Sequence, residues 1–516
     1  MSENDSVQQS NGVGVDPVTP FRRRFQSIVE GPLLTYRDQF RQSDDQQQQA
    51  LAQIIGDFLS FAHAYFNYFT TSCDSDQHRR DLAFVLKRLQ REAELLLRAS
   101  QQRLRPSAYQ PYLQHADQRA LRIYAQFTGF KPCANVVPII YVEKLFSIRR
   151  CLYSNRGVPL LAIQMLTLKD PDQQEGIIAH EMGHFIYWNT SQLGAFPKIQ
   201  QQVEQAVLKV FTRDQESFAA LNTQVKAAKF WIGWIEEIIA DIFATLMAGP
   251  RYVVSSLKRI ADEGDYLTSS DPTHPCTYLR PLIALEALAW IVDSKKGDKA
   301  HLKILGELIA QFSQQCKKMV KLARKEKDTR IEVRVRDLEH WVQPIVRAIL
   351  DSPSGWVDVD GVHPTSVGEL FNYSAWLDQM RDVALPMLDN QDQPFDYAGW
   401  FTVLPSLKDV EADSGVLGTA LEVHAGDDLA TQNPPSDWSL PPTSPEFEDL
   451  KRHFERTYGG SATKVRNALL QLDIGDERGA WGPSTGVFEY EYDVWRTSTG
   501  VFEYVGEYNG NYTKVG

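Results

Sequence analysis

Residues 170–188 read DPDQQEGIIAHEMGHFIYW, and this stretch decides the fold around it. Asp170 is a favourable N-cap residue, and Pro171 suits the first turn of a helix because the N–H that a proline lacks would have no intrahelical partner there. Gln173 stands three residues after the cap, as in a capping box. The pattern therefore predicts a helix that begins near Pro171.

The pentapeptide HEMGH at residues 180–184 places two histidines four positions apart on this helix. Since an α-helix turns by about 100° per residue, His180 and His184 differ by only about 40° around the axis and can bind one metal ion. Glu181 lies beside them and can contact a metal-activated water without being a ligand, as a general base for peptide hydrolysis must. We predict His180 and His184 as metal ligands and Glu181 as the general base.

A second apolar segment, WIGWIEEIIADIFATLMAG at residues 231–249, contains acidic residues in its middle. These carboxylates would be costly in lipid, so we interpret the segment as a buried functional helix and not as a membrane span. Glu237 and Asp241 are four residues apart and share one face of this helix. We predict Glu237 as the third metal ligand and Asp241 as a hydrogen-bond partner of a ligand histidine. Glu236 is the alternative third ligand, but it would leave Asp241 off the face.

The order HExxH followed by ExxxD resembles the gluzincin zinc metallopeptidases, most closely the group of HtpX and the CAAX prenyl-protein endopeptidases. In that group an HPxxxxR segment follows, and residues 274–280 read HPCTYLR. The resemblance covers about residues 136–295 and implies one Zn²⁺ in a site of two histidines and one glutamate. It also implies that His274 and Arg280 stabilise the oxyanion or hold the substrate backbone. The alternative interpretation of these two residues is a plain helix start.

The resemblance implies a zinc-dependent endopeptidase that acts on a protein or peptide substrate. It further implies that a strand within residues 158–168 binds extended substrates along its edge. One alternative is a partner-binding or regulatory protein with a vestigial metal site, although a decayed site would be expected to lose the general base or a ligand first. Another alternative is an effector or toxin protease delivered into another cell.

The predicted fold is mainly α with a small antiparallel β-sheet, an α+β zincin-like core with added helical regions and a short β-rich C-terminal appendage. Amphipathic spacing marks the helices, and the short apolar runs VVPIIYVE, SIRRCLYS and VPLLAIQMLTL mark the strands. The predicted regions are a flexible N-terminal tail (1–43), a helical hairpin region (44–125), the metallopeptidase core (126–350), a helical extension (351–410), a linker (411–445) and a C-terminal helix with a β repeat (446–516).

Composition restricts the partners of the chain. Its 54 Lys and Arg against 66 Asp and Glu give a net charge of −12, which argues against nucleic acid or anionic lipid as a partner. The five cysteines contain no CxxC pair, and the polar N-terminus lacks the apolar core of a secretory signal, so we expect a cytoplasmic protein without a membrane span. The repeated heptapeptide STGVFEY, at residues 484–490 and 498–504, is a candidate surface for a protein partner.

Overall fold

The fold is mainly helical with one small β-sheet. The computed structural model describes residues 18–70, 76–104, 109–127, 137–143, 147–151, 153–154, 159–164, 171–192, 197–212, 228, 231–263, 274–275, 277–295, 297–323, 335–353, 366–373, 376–377, 444–471 and 475–478, with residue 152 outside this set. Among the described helices, none combines the length and the apolar character that crossing a bilayer requires.

The N-terminal helices are α1 (Thr19–Phe25), α2 (Gly31–Arg41), α3 (Gln46–Thr70), α4 (Asp76–Arg103) and α5 (Gln110–Tyr124), with a π-helical turn at Gln26–Glu30. Three strands follow, β1 (Ile139–Val142), β2 (Ser147–Cys151) and β3 (Leu160–Ile163). The next helices are α6 (Pro171–Gln192), α7 (Pro197–Thr212), α8 (Ile235–Ala248), α9 (Pro250–Glu263), α10 (Leu279–Asp293), α11 (Lys299–Ala323) and α12 (Val335–Leu350). The chain continues with a 3₁₀ turn (Val367–Leu370), α13 (Pro445–Thr457), α14 (Ala462–Gln471) and β4 (Gly475–Arg478).

The strands form a mixed sheet in the order β1-β3-β2-β4. β1 and β3 run parallel, whereas β2 is antiparallel to both of its neighbours, β3 and β4. The predicted antiparallel sheet is therefore wrong for the β1–β3 pair. The prediction of a substrate-binding edge within residues 158–168 is also wrong, because β3 has β1 on one side and β2 on the other.

Two apolar cores lie on opposite faces of the sheet. Ile140, Ile148 and Leu161 belong to the core that includes α6 and α8. Alternate positions such as Ile139 and Leu160 belong to the core formed with α3 and α4. Because both faces are covered, β1 (IIYV) and β3 (LLAI) are continuous apolar runs, and a parallel pair is tolerated.

The outer edge of β1 is closed by side chains from α4 and α5. Gln102 accepts a hydrogen bond from the backbone N–H of Val142 at 2.7 Å and donates one to its carbonyl at 3.0 Å. Asp117 accepts from the N–H of Ile140 at 3.2 Å, and Arg103 donates to the carbonyl of Ile140 at 2.6 Å. Arg103 and Asp117 also form a buried ion pair at 2.8 Å. These contacts satisfy backbone groups that would otherwise be free to pair with another strand.

The N-terminal region is helical, and the prediction of a tail is wrong for residues 18–43. Phe25, Val29, Leu33 and Phe40 are fully buried against α3 and α4. The helical spacing of these apolar residues was not recognised in the sequence, because a pair such as Gly31-Pro32 usually interrupts a helix. Here Pro32 lies in the first turn of α2, where a proline is tolerated.

The predicted hairpin of two long helices is confirmed as α3 packed on α4. Within the predicted helical extension (351–410), Ser366 caps a 3₁₀ turn of only four residues and Phe371 is extended, so an α-helix is wrong for this part of it. At the C-terminus two helices precede β4 where one was predicted. The linker up to residue 443 and both copies of STGVFEY lie outside the described residues.

Helices α6 and α8 pack so closely that a side chain at Gly183 has no room. A Cβ atom built there would lie 2.8 Å from the carbonyl oxygen of Ala240 and 2.9 Å from its Cα. Both contacts are with backbone, which cannot rotate away. Gly183, the fourth residue of HEMGH, therefore sets the distance between the helix that carries the two histidines and the helix that carries Glu237.

Gly183→Ala is expected to push α8 away from α6, lowering the free energy of unfolding by about 1–3 kcal/mol. Metal affinity should fall with it, because the donors on the two helices separate. The matched control is Gly306→Ala on α11, where a Cβ meets nothing within 4 Å. Alanine there should stabilise the helix by about 0.5–1 kcal/mol. Chemical denaturation and Zn²⁺ titration measure both effects; equal stability and affinity for Gly183→Ala and the parent would contradict this account of the packing.

Candidate metal centre

Two helices bring the predicted ligands together. α6 begins at Pro171, as the sequence predicts, and carries His180 and His184 about two and a half and three and a half turns further on. α8 is buried almost all round and begins just before Glu237, so that carboxylate lies in the first turn. The partial positive charge at a helix N-terminus favours a carboxylate at this position. His180, His184 and Glu237 are all buried.

The three side chains converge on one point between the helices. The Nε2 atoms of His180 and His184 lie 3.1 Å apart. The two carboxylate oxygens of Glu237 each face one of these nitrogens, with Oε2 3.3 Å from His180 and Oε1 3.3 Å from His184. One donor atom from each residue falls within 4.8 Å of the others, so this cluster can hold a metal ion. The sequence prediction of these three residues as one group agrees with the geometry.

Asp241 contacts His180 on the side of the imidazole ring that faces away from the cluster. Its Oδ1 lies 3.0 Å from Nδ1 of His180, on the opposite side of the ring from the Nε2 that faces the cluster. Asp241 is fully buried, as the predicted hydrogen-bond partner of a ligand histidine should be. Such a contact fixes the orientation of the ring and leaves Nε2 available as a donor to a metal.

Arg280 is buried and forms an ion pair with Asp241. Its Nη2 lies 2.7 Å from Oδ1 of Asp241, and its Nε lies 3.2 Å from both carboxylate oxygens. The same Nη2 lies 3.0 Å from the ring nitrogens of His180 and 3.7 Å from Glu237. This geometry favours a positioning role for Arg280 over the oxyanion contact that the resemblance implies.

His274 lies at the open side of the cluster. Its Nε2 is 3.5 Å from Oε1 of Glu237, and its side chain keeps 30% exposure where the other cluster residues are buried. A partly exposed imidazole at this position can reach a molecule that enters from solvent. The placement is compatible with the predicted contact to substrate, which stays a prediction.

One carboxylate oxygen of Glu181 makes no hydrogen bond within the described part of the chain. The side chain is buried, and within the described part of the chain its Oε2 has no hydrogen-bond partner. Burying a carboxylate oxygen without a partner is costly, and such groups are rare outside functional sites. The free oxygen is therefore available to accept a proton or a hydrogen bond from a small molecule.

Glu236 is the alternative third ligand in the sequence analysis. Its Oε1 lies 3.3 Å from Nδ1 of His184, so each histidine has a carboxylate on the side away from the cluster. Glu237 and not Glu236 belongs to the group that could hold a metal ion. Adjacent residues of α8 point in directions about 100° apart, so Glu236 and Glu237 can contact different histidines. Which histidine each one contacts depends on the position of α6, which the sequence does not give.

Tyr252 is a member of the site that sequence reasoning missed. Its hydroxyl donates a short hydrogen bond to Oδ1 of Asp241 and lies 3.4 Å from Nδ1 of His180. Burial, followed by the charge of Asp241, raises the pKa of Tyr252, so the hydroxyl keeps its proton and stays a donor. Tyr252 is on α9, and nothing in its local sequence indicates this contact.

Tyr252→Phe is expected to lower metal affinity about tenfold, because Asp241 loses one of the contacts that fix its orientation toward His180. The matched control is Tyr65→Phe, in the other core, which also loses one buried hydrogen bond from a tyrosine hydroxyl, to the carbonyl of Leu469 at 2.7 Å. Tyr65→Phe should reduce stability but not metal affinity. Competition titration with a fluorescent Zn²⁺ chelator separates the two; equal affinities would mean that Tyr252 does not act on the site.

The charges of the site stabilise one another. Burial alone would lower the pKa of His184, but the carboxylates of Glu237 and Glu236 outweigh it and hold that pKa well above its usual value. Burial would raise the pKa of Glu237, yet the two imidazoles hold it well below its usual range. Asp241 behaves likewise, with burial opposed by the charge of Arg280 and by His180, and its pKa is lowered. In the metal-free protein the pair of His184 and Glu237 is therefore ionised.

Metal binding to the metal-free protein is expected to release about one proton, because only a neutral imidazole donates to a metal. A raised pKa of His184 means that this proton is still present at neutral pH, so affinity should rise with pH until that pKa is passed. Calorimetric Zn²⁺ titration in two buffers of different ionisation enthalpy counts the proton. Replacing the exposed His115 by alanine should leave the count unchanged. Identical heats in both buffers would show that His184 is already neutral.

Comparison of the chain with protein-family models, with curated proteins and with solved structures gives no match. The assignment of a function therefore depends on the geometry and chemistry of the site itself.

Proposed function

We propose that the protein is a zinc-dependent endopeptidase of the gluzincin type, with a zincin-like core formed by the sheet, α6 and α8. The observation that carries the proposal is the convergence of His180, His184 and Glu237 beside Glu181, whose Oε2 has no partner among the described residues.

The donor set suits zinc. Two ligands about 2.0–2.1 Å from a tetrahedral Zn²⁺ lie about 3.3–3.4 Å from each other. The Nε2 atoms of His180 and His184, 3.1 Å apart, are close to this spacing, and Glu237 lies 3.3 Å from each of them through a different oxygen. Two imidazoles and one carboxylate also leave a fourth position open, as catalytic zinc sites do. Borderline nitrogen and oxygen donors favour zinc over magnesium or calcium, which prefer oxygen ligands alone.

When bound, the zinc ion supplies a positive charge that polarises the scissile carbonyl and makes water more acidic. Glu181 takes the proton from the attacking water and passes it to the leaving amine, so that one carboxylate serves as base and then as acid. Asp241 and Glu236 hold the two imidazoles in place, and Arg280 compensates the charge of Asp241. His274, at the open side, is placed to donate a hydrogen bond to the substrate.

The intact set of residues favours an active enzyme over a vestigial site. A protein that had kept only a binding role would have no use for a buried, unpartnered carboxylate oxygen at Glu181, which costs stability in the absence of a ligand. No described feature favours a delivered toxin, and that alternative stays a hypothesis from the sequence.

The direct test is hydrolysis of an unfolded protein such as fluorescein-labelled casein, together with the metal content measured by mass spectrometry. We expect about one zinc per chain, hydrolysis that stops on chelation, and recovery when zinc is returned. Comparison of newly formed N-termini in cells that express the parent or Glu181→Gln would identify the substrate. A protein that binds zinc but cleaves neither casein nor any cellular protein would contradict the proposed activity.

A further inference from the structure

Among the described residues, the three strands β1, β3 and β2 offer one edge to an additional strand. The β1 edge is closed by Gln102, Arg103 and Asp117, which bond to its backbone in place of a strand. The opposite edge belongs to β2, which is also the strand that packs most closely on α6. Ile148 of β2 lies in the same core as Met182 of the HEMGH segment. An extended peptide that pairs with these three strands on the side of α6 would therefore pair with β2.

The chain fills this edge with its own C-terminal segment. β4 pairs antiparallel with β2, and the register sets Ile148 opposite Arg478, and Cys151 opposite Gly475. This is a pairing between segments more than 300 residues apart in sequence. The two strands are joined neither as a hairpin nor by a single crossover, so chain order does not predict their pairing. The sequence GDER also has none of the β-branched or aromatic residues that favour strands.

Neighbouring contacts keep β4 close to the edge. Phe447 of α13 packs on the rings of Phe61, Tyr65 and Tyr68 of α3. Arg466 of α14 forms an ion pair with Asp81 of α4 at 3.1 Å. Only residues 472–474 separate β4 from α14 in the sequence. This short connection gives β4 a high effective concentration at the edge of β2. The strand itself spans only four residues, which makes it the weakest part of the C-terminal unit.

We propose that β4 is an internal occupant of the peptide-binding edge, and that an extended substrate segment must displace it to pair with β2. The inference rests on the proposed peptidase function and adds a restraint that the chain applies to itself. It also indicates a substrate class. β2 reads SIRRC and β4 reads GDER, and the register sets Asp476 opposite Arg150 and Glu477 opposite Arg149. Arg149 is buried and already forms an ion pair with Glu92 of α4, so the charge complementarity is between Asp476 and Arg150. Extended segments with an acidic residue in the position of Asp476 are therefore the preferred ligands.

The first test removes the pairing in the full chain. Successive residues of an edge strand direct their N–H groups alternately toward and away from the neighbouring strand, so Asp476→Pro/Glu477→Pro deletes at least one bond of the ladder. Casein hydrolysis should rise by up to about tenfold if the edge is occupied in some nine-tenths of molecules. The matched control, Asp476→Ala/Glu477→Ala, loses the same side chains but keeps both N–H groups, and should rise less.

The second test measures binding without hydrolysis. A fluorescein-labelled peptide with the sequence of residues 473–480, DIGDERGA, is titrated against Glu181→Gln and against Glu181→Gln carrying the two prolines. Fluorescence anisotropy should show about tenfold tighter binding to the variant with prolines, because its edge is free. A peptide with Asp and Glu replaced by Asn and Gln should bind more weakly than DIGDERGA.

The third test locks the strand in place. Residues directly opposite each other in an antiparallel pair have Cα atoms about 4.5–5.5 Å apart, within the range of a disulfide. Gly475→Cys sets a thiol opposite Cys151, which is free in the parent chain. The oxidised variant should lose hydrolysis and regain it on reduction with dithiothreitol. The combination Gly475→Cys/Cys151→Ser cannot form this bond and should not respond, and the lock does not depend on the folding of the proline variant.

The outcomes separate the two proposals. If peptide binding rises with the prolines but no variant cleaves casein, the edge proposal stands and the peptidase proposal fails. If the parent cleaves casein and neither the prolines nor the lock change the rate, the peptidase proposal stands and β4 only covers a sheet edge. Loss of stability in the proline variant without any gain in peptide binding or hydrolysis would likewise overturn the inference.

Discussion

Replacing Glu181 by glutamine is expected to reduce hydrolysis by about 10²–10⁴-fold, the contribution of a general base, while zinc stays bound. Glutamine has the same shape but cannot accept the proton of the attacking water. The carboxylate is buried, with Oε2 unpartnered within the described structure, so the substitution removes no ion pair or hydrogen bond known to support the fold. Zinc content, thermal unfolding and the rate of casein cleavage measure the three parts of this expectation.

Glu204→Gln on α7 is the matched control for this substitution. Glu204 lies outside the metal centre, and burial raises its pKa. The control should retain both zinc and activity. Activity of Glu181→Gln close to that of the parent would mean that another group is the base. Loss of zinc from Glu181→Gln would instead mean that Glu181 helps to hold the metal.

Replacing Glu237 by alanine is expected to abolish stoichiometric zinc binding. Contacts to residues behind the ligands alter metal affinity by about 10–100-fold, so removal of a ligand should exceed that range. The substitution also leaves His180 and His184 with their Nε2 atoms 3.1 Å apart and without the carboxylate that balances them. In the metal-free protein the pKa of His184 should then fall, because the charge of Glu237 is the largest influence that raises it. Metal analysis after dialysis and a pH titration followed by NMR measure the two effects.

Glu236→Ala distinguishes the two adjacent glutamates. Glu236 contacts Nδ1 of His184 and not the Nε2 that faces the cluster, so its loss should cost only about tenfold in affinity. The opposite order, with zinc lost from Glu236→Ala and kept by Glu237→Ala, would reverse the assignment of the third ligand. Both variants remove a glutamate side chain from the same turn of α8, so a difference in zinc affinity between them reflects the position of the side chain and not its chemistry.

Much of the metal centre could be predicted because helical periodicity is local. The spacing of His180 and His184 fixes their common face whatever surrounds them, and the spacing of Glu237 and Asp241 does the same on α8. The choice of Glu237 over Glu236 followed from that spacing alone, and the geometry agrees with it. The start of α6 at Pro171 was equally predictable, since capping depends on a few adjacent residues.

The supporting contacts could not be predicted in the same way. Tyr252 reaches Asp241 because α9 folds back beside α6, and Arg280 is held by Asp241 because α10 crosses the same region. The side chain of Arg280 fits either an oxyanion contact or an ion pair, and only the position of α10 decides between them. The close approach at Gly183 is likewise a property of two helices and not of one.

The sequence alone predicts which residues lie in the cluster that could hold a metal ion, and on which helices they lie, because helical spacing repeats every turn within a single segment. The tertiary structure alone decided the parallel pairing of β1 with β3, the burial of α1 and α2, and the placement of β4 beside β2. Those features depend on contacts between segments far apart in the chain, and their free energy comes from burial and backbone pairing that no local pattern encodes.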